Sequence, residues 1–231
     1  MEKLNENLIS EIKKLKISTS TIIDVMDGMK TGGVLSHKIR SQNTADYYLV
    51  AQAYTVQWCK NRKGSHILTS SPSTWEQVGA FLVPELERAE GLVYVAGSGE
   101  CICDAALAGG MSCTYFEQMG FAGVITGGAV RDAPDLQVLA MPVLATNLTP
   151  ADTQGAWCVS ETGTSCRIEQ VTIQTGDLII ADSNGVVVIP YQDIDTVTDN
   201  AIKMTRIENR MMEQIRQGVR LPDLIEKTGQ I

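Results

Sequence analysis

Apolar residues at Leu4, Leu8, Ile12 and Leu15 recur at helical spacing and predict an amphipathic helix at the start of the chain. In STSTIIDVMDGM, Thr21 and Asp24 have the three-residue separation of a helix start, and Gly28 fits a C-terminal stop, so N-terminal helices are expected over about 3–28. Leu49 to Trp58 reads as a strand, and Ser71 to Glu90, with Pro72 near its start and Gly91 after it, reads as a long helix. The alternation then tightens: Leu92 to Ala96 is a short apolar strand, GSGE a turn, Cys103 to Met119 helical, and Ala122 to Thr126 a strand ending in Gly127-Gly128. Strand, helix, strand in that order predicts a parallel crossover in a buried sheet. Further on, Val138 to Ala145 and Cys166 to Gln174 read as strands, and LIIADSNGVVVIP as a hairpin turning at Asp182-Ser183-Asn184-Gly185. A closing helix is expected over about 192–217; its stripe of Ile194, Val197, Ile202, Met204, Ile207 and Met211 fits the core, with another subunit as the alternative.

These elements make an α/β protein, and 231 residues without a repeat or low-complexity linker are read as a single domain over 1–231. Charge narrows the function. With 19 Lys+Arg against 27 Asp+Glu, a net charge of −8 and no long basic run, direct nucleic-acid binding is disfavoured. No window approaches the ~20 apolar residues of a membrane span, and the charged N-terminus lacks an apolar signal core, so a cytoplasmic location is expected. The six cysteines lie mostly in apolar segments without the paired spacing of a zinc site and are read as reduced core residues.

Candidate chemistry concentrates between Gly109 and Asp135, where glycines, an Arg-Asp pair and a further acid follow a predicted strand. Loops beyond strand carboxyl ends are where open α/β folds bind ligands. Arg131 offers a planar fork of donors for a carboxylate or carbonyl, and Asp132 a hard oxygen of the kind Mg²⁺ or Mn²⁺ takes. Mg²⁺ keeps several waters, so one carboxylate suffices, with Asp135 placed to orient those waters. The same pair can equally cap and pair within a turn. Gly109-Gly110 before Met111 and Ser112 can open a helix whose free amides receive a carboxylate, or can serve close packing alone.

Gly110, twenty residues, Arg131-Asp132, two residues and Asp135 together match the pattern of the RraA-like family, which this chain resembles over roughly Ser18 to Pro190. STSTIIDVMD, AYTVQ around Thr55 and TGDLIIADSNGVVVIP carry the likeness further. The family includes metal-dependent class II pyruvate aldolases acting on 4-hydroxy-4-methyl-2-oxoglutarate. The resemblance implies a layered fold similar to the swivelling phosphohistidine domain, with mixed central sheets flanked by helices, assembled into homotrimers or homohexamers. It implies a Mg²⁺ or Mn²⁺ ion held through Asp132 and waters, with Asp135 behind those waters. It also implies a small 2-oxo acid bound by Gly110, Met111, Ser112 and Arg131, with Arg131 and Asp132 catalytic. The expected reaction is carbon–carbon cleavage releasing pyruvate, by aldol cleavage or oxaloacetate decarboxylation. The alternative is a non-catalytic regulator binding a ribonuclease or other protein, the role that gave the family its name. The chain departs from the family in having Gly127-Gly128 where Asp-Gly is frequent and Val95-Ala96-Gly97 where an Asp often closes the strand, which bears on substrate orientation. The base for the substrate hydroxyl is unassigned, with Glu208 and Glu213 as acids available on a neighbouring subunit. Lys60, Arg62 and Lys63 suit an acidic substrate or form an ordinary solvated loop.

Overall fold

The structure, a computed structural model, describes residues 4, 6–60, 79–153 and 156–228. Helices α1 (Glu6–Leu15) and α2 (Thr19–Met29) open it, followed by the short strands β1 (Gly33–Val34) and β2 (Arg40–Ser41) and the long strand β3 (Leu49–Lys60). The start of α2 is set by Ser18, whose hydroxyl accepts the Thr21 N–H at 3.0 Å, rather than by Thr21 and Asp24. Gly28 lies inside the helix, and Lys30 ends it in the left-handed region, its amide returning to Asp27 and Met26.

Strand β3 is the spine of the sheet. Its alternation sends Leu49, Ala51 and Ala53 to one face and Tyr54, Val56 and Trp58 to the other. On one side it pairs in parallel with β4 (Leu92–Gly97), which continues in parallel to β6 (Val124–Thr126) and β8 (Val143–Ala145). Along its other side β3 pairs antiparallel first with β12 (Leu178–Asp182) and then with β9 (Trp157–Thr162). The expected hairpin forms between β12 and β13 (Gly185–Ile189), and the expected parallel crossover joins β4 to β6. The result is a mixed sheet of nine strands with helices packed on it, accompanied by the hairpin of β10 (Ser165–Ile168) and β11 (Val171–Gln174) and by the pair of β5 (Ala106–Ala108) and β7 (Ala129–Val130). Over the crossover, Tyr94 stacks on Phe116 with ring centroids 4.3 Å apart, and Phe121 meets both edge-on. On the other flank α1, α2 and the long helix α5 (Ile194–Arg216) bury Ile12, Ile22, Met26, Val197 and Ala201 against β12 and β13. The C-terminal stripe is thus partly core, with Ile194, Val197, Ile202 and Met211 buried and Met204 and Ile207 half-buried.

Several sequence expectations give way. The expected helix over Ser71–Glu90 lies outside the described residues up to 78; beyond it stands only a 3-10 turn at Gly79–Leu82, followed by non-helical chain. Pro84 is the physical reason: it disfavours helical backbone at the residue before it, and Val83 sits at φ 49°. The Cys103–Met119 segment is strand β5 followed by helix α3 (Gly110–Met119), with extended Gly109 at the junction between them. Val138–Ala145 is strand only over β8. Cys166–Gln174 is the β10–β11 hairpin, reversing at Glu169 with φ 51°. Cys113 and Cys166 are buried thiols, their pKa pushed up to about 12 by desolvation, whereas Cys103 is exposed and Cys59, Cys101 and Cys158 are half-buried. Among the described residues no helix is long and apolar enough to cross a membrane.

Candidate functional site

The parallel strands β5 and β7 end side by side, Ala108 opposite Val130. Each then delivers its polar residues to the same corner: Gly109-Gly110 opens α3, and Arg131-Asp132 leads into the short helix α4 (Ala133–Leu136). The Arg131 amide donates to the Ala108 carbonyl at 3.1 Å, continuing the pairing by one residue. The spacing between Gly110 and Arg131 is therefore the length of one helix and two short strands, which bring the chain back beside its starting point.

At this corner Asp132 stands at φ 65° and ψ 51°, a left-handed conformation that Asp tolerates better than most side-chain-bearing residues. Its Oδ2 accepts the Gly110 N–H at 3.0 Å, and Arg131 Nε lies 3.7 Å from the same oxygen. Oδ1 accepts no hydrogen bond among the described residues, and the side chain is 43% exposed. The glycines are needed for this approach. A Cβ on Gly109 would lie 2.7 Å from Asp132 Oδ2, and one on Gly110 would lie 2.5 Å from the Cβ of Asp135. Ser112 Oγ is engaged with Gly109, accepting its N–H at 2.9 Å and donating to its carbonyl at 3.0 Å. The Met111 and Ser112 amides lie in the first turn of α3, where an α-helix has no internal acceptor to offer.

The corner opens on a cleft of about 440 Å³ whose described lining includes Arg131 and Asp132 together with Trp58, Phe81 and Tyr115. It also contains an acid that sequence reasoning missed. Asp152, brought beside Ala106 by an isolated parallel bridge, places Oδ2 3.2 Å from Arg131 Nη1, while its Oδ1 accepts the Thr153 N–H at 2.7 Å. Its neighbours Thr149, Pro150 and Ala151 form no chemical motif, so only the fold reveals it. Asp135 is exposed and packs on Gly110 from outside the cleft lining. Lys60 points elsewhere, its Nζ 2.7 Å from Glu100 and 5.5 Å from the Trp157 ring centre; Arg62 and Lys63 lie outside the described residues. Glu208, on α5, accepts the Thr21 hydroxyl at 3.0 Å.

Among the described residues no three His, Cys, Asp or Glu side chains gather as a ready-made metal cage. The open Oδ1 of Asp132 is nonetheless the donor that Mg²⁺ or Mn²⁺ accepts when waters and substrate complete its shell, so the residues fit such an ion on one carboxylate.

The family model for RraA-like proteins, described as Aldolase/RraA, matches residues 19–188. The chain belongs to the RraA-like family. It is 31% identical over 127 residues to the Methanocaldococcus jannaschii protein MJ0644, covering 55% of this chain and 61% of that one. It is 25% identical over 213 residues to the Legionella pneumophila protein DlpA, covering 92% of this chain but only 32% of the relative. It thus spans less than two thirds of the length of either protein. A protein of Halalkalibacterium halodurans named putative 4-hydroxy-4-methyl-2-oxoglutarate aldolase is 27% identical over 81% of this chain and 79% of its own. The fold matches the Streptomyces coelicolor structure of RraAS2, described as an unusual member of the RNase ES inhibitor RraA protein family, with TM-score 0.75 and 22% identity over 93% of this chain and all of that one.

Proposed function

We propose that this RraA-like chain is a divalent-metal-dependent lyase that cleaves a carbon–carbon bond in a small 2-oxo acid and releases pyruvate. The observation that carries the reading is the half-open carboxylate of Asp132 beside the guanidinium of Arg131, both on a cleft and both at the start of α3. Relatives named as 4-hydroxy-4-methyl-2-oxoglutarate aldolases give it support. In this reading Asp132 holds Mg²⁺ or Mn²⁺ through its free oxygen. Arg131 donates to the 2-oxo acid end of the substrate, and the Met111 and Ser112 amides beyond Gly110 receive its carboxylate, where the helix dipole favours an anion. The bound cation supplies Lewis-acid polarisation of the 2-oxo group. Asp135, outside the cleft lining, acts by holding the Gly110 turn and the metal's waters. The same reading carries a homotrimer or homohexamer in the cytoplasm, measurable as three or six chain masses by light scattering.

The test is pyruvate release from 4-hydroxy-4-methyl-2-oxoglutarate and from oxaloacetate, with Mg²⁺ or Mn²⁺ and again with a chelator, after subtracting the metal-only rate. Chelator-sensitive turnover is the expected result. The likeness to RraAS2 favours a second reading, a regulator that binds a ribonuclease or other protein. Absence of turnover together with stable capture of such a partner would replace the lyase by that regulator.

A further inference from the structure

Two of the six cysteines meet across a strand pair. Cys59, near the end of β3, stands directly opposite Cys158, near the start of β9, in an antiparallel ladder, and their Sγ atoms are 3.4 Å apart. The two residues are 99 positions apart in the chain, so only the fold brings them together. As thiols they contact each other, and the Cys158 S–H also lies 3.8 Å from the Cys59 carbonyl. Both residues are half-buried, unlike Cys113 and Cys166, which are sealed in the core.

This is the geometry of a pair one step from a bond. Opposed residues of antiparallel strands have Cα atoms about 4.5–5.5 Å apart, inside the roughly 4.4–6.8 Å span that a disulfide bridges. The sulfurs have only to close from 3.4 Å to about 2.0 Å, a movement within reach of rotation about the side-chain bonds. A half-buried position leaves the pair within reach of small thiols and disulfides, the condition for a bond that forms and breaks with the redox state around it.

We propose that Cys59 and Cys158 form a reversible disulfide that braces β9 against the far half of β3. The oxidant is a low-molecular-weight disulfide of the glutathione class. The thiolate of one cysteine attacks a sulfur of that disulfide, forming a mixed disulfide and expelling one small thiolate. The thiolate of the other cysteine then attacks the protein sulfur of the mixed disulfide and expels the second. The protein loses two electrons and two protons, and the small disulfide gains them as two thiols. The brace borders the candidate site: Trp58, next to Cys59, lines the cleft, as do Asp152 and Thr153, which precede β9. It does not depend on the lyase reading.

The test incubates the full chain with oxidised glutathione at about pH 8.5, because burial and the neighbouring Cys59 sulfur push the Cys158 thiol above its usual value. We expect the loss of one pair of thiols, a mass lower by two hydrogens, and a bridge between the Cys59 and Cys158 peptides after cleavage at Lys60 and at Glu161, which separates Cys158 from Cys166. Dithiothreitol should restore both thiols. Because the bond closes a ring of about 100 residues in the unfolded chain, the oxidised protein should unfold about 4 °C or more above the reduced one. Cys59→Ser and Cys158→Ser should each form no bridge and show no such rise, whereas Cys103→Ser, at an exposed cysteine, should keep both. Retention of all six thiols, a bridge between other cysteines, or a glutathione adduct that stays on the chain without ring closure overturns the proposal. A bridge between Cys59 and Cys158 with an unchanged unfolding temperature overturns the brace.

Discussion

Two aspartates, each beside the first amides of a helix, are used in opposite ways. Asp182, at the end of β12, spends its whole carboxylate on architecture: Oδ2 accepts the Thr19 N–H at 2.9 Å, and Oδ1 accepts the Thr19 hydroxyl and the Asn184 N–H, each at 2.8 Å. It fastens α2 to the β12–β13 turn. Asp132 gives one oxygen to the Gly110 amide at the start of α3 and leaves the other open on a cleft. Both carboxylates benefit from the helix dipole. A carboxylate whose acceptor sites are filled by its own fold holds the fold, whereas one left half-filled and half-exposed is available to a ligand. The second arrangement also carries backbone strain, with Asp132 at φ 65°, which the surrounding Gly109-Gly110 turn accommodates.

The contrast is tested most severely by Asp132→Asn. Asn keeps the tolerance for left-handed backbone and an oxygen for the Gly110 amide, so thermal stability should stay close to wild type. Chelator-sensitive pyruvate release should fall on the order of 10²-fold or more, the scale on which one charge-stabilising group is lost. Full activity in this variant, with an unchanged circular dichroism spectrum, would remove Asp132 from the chemistry.

Asp182→Ala should do the reverse. It strips charge-assisted bonds from an amide and a hydroxyl of α2, and stability in urea should drop by about 1.5–3 kcal/mol. Turnover per folded molecule should be retained. A loss of turnover as deep as that of Asp132→Asn, in the fully folded protein, would erase the distinction between the two acids.

The architectural half of this contrast was easier to read from sequence than the chemical half. The β12–β13 hairpin is announced by local residues, two apolar runs around Asp182-Ser183-Asn184-Gly185, and local turn chemistry decides it. The parallel pairing of β4 and β6 follows from the strand, helix, strand order between Leu92 and Thr126. Gly110 and Arg131-Asp132 were legible as a spaced motif, although the spacing alone does not tell ligand binding from a packed turn. Asp152 was not legible, because it enters the corner through a bridge to Ala106 that only the tertiary fold creates. Likewise β9 pairs with the far half of β3, and its weak alternation, from Trp157 buried to Glu161 exposed, carries little signal on its own. The described end of the helix expected up to Glu90, from Gly79 on, gives way at a single local residue, Pro84, whose restriction of Val83 outweighs the apolar spacing around it.

Gly110→Ala probes the packing that lets Asp132 reach the helix start. The new methyl would sit 2.5 Å from the Cβ of Asp135, an atom fixed to the α4 backbone and unable to swing away. Overpacking of this kind costs about 1–3 kcal/mol, here read as a lower urea midpoint. Asp135→Ala keeps the clashing Cβ, so the double variant should recover little of the loss; full recovery would show that the carboxylate rather than the backbone approach demands glycine.

The smallest effect expected is that of Ser18→Ala. Ser18 and Asp182 share the first turn of α2, the serine taking the Thr21 amide at 3.0 Å and the aspartate the Thr19 amide. Loss of the serine cap should lower stability by about 1 kcal/mol, less than loss of Asp182, because a neutral hydroxyl is the weaker acceptor and Thr21 keeps its bond to Glu208. The two variants share one helix end, so their costs should not add: with one cap gone the first turn frays more readily, and less is left for the second substitution to remove. Urea denaturation of both single variants and the double variant measures that coupling. Strict additivity would mean that Ser18 and Asp182 stabilise the start of α2 independently.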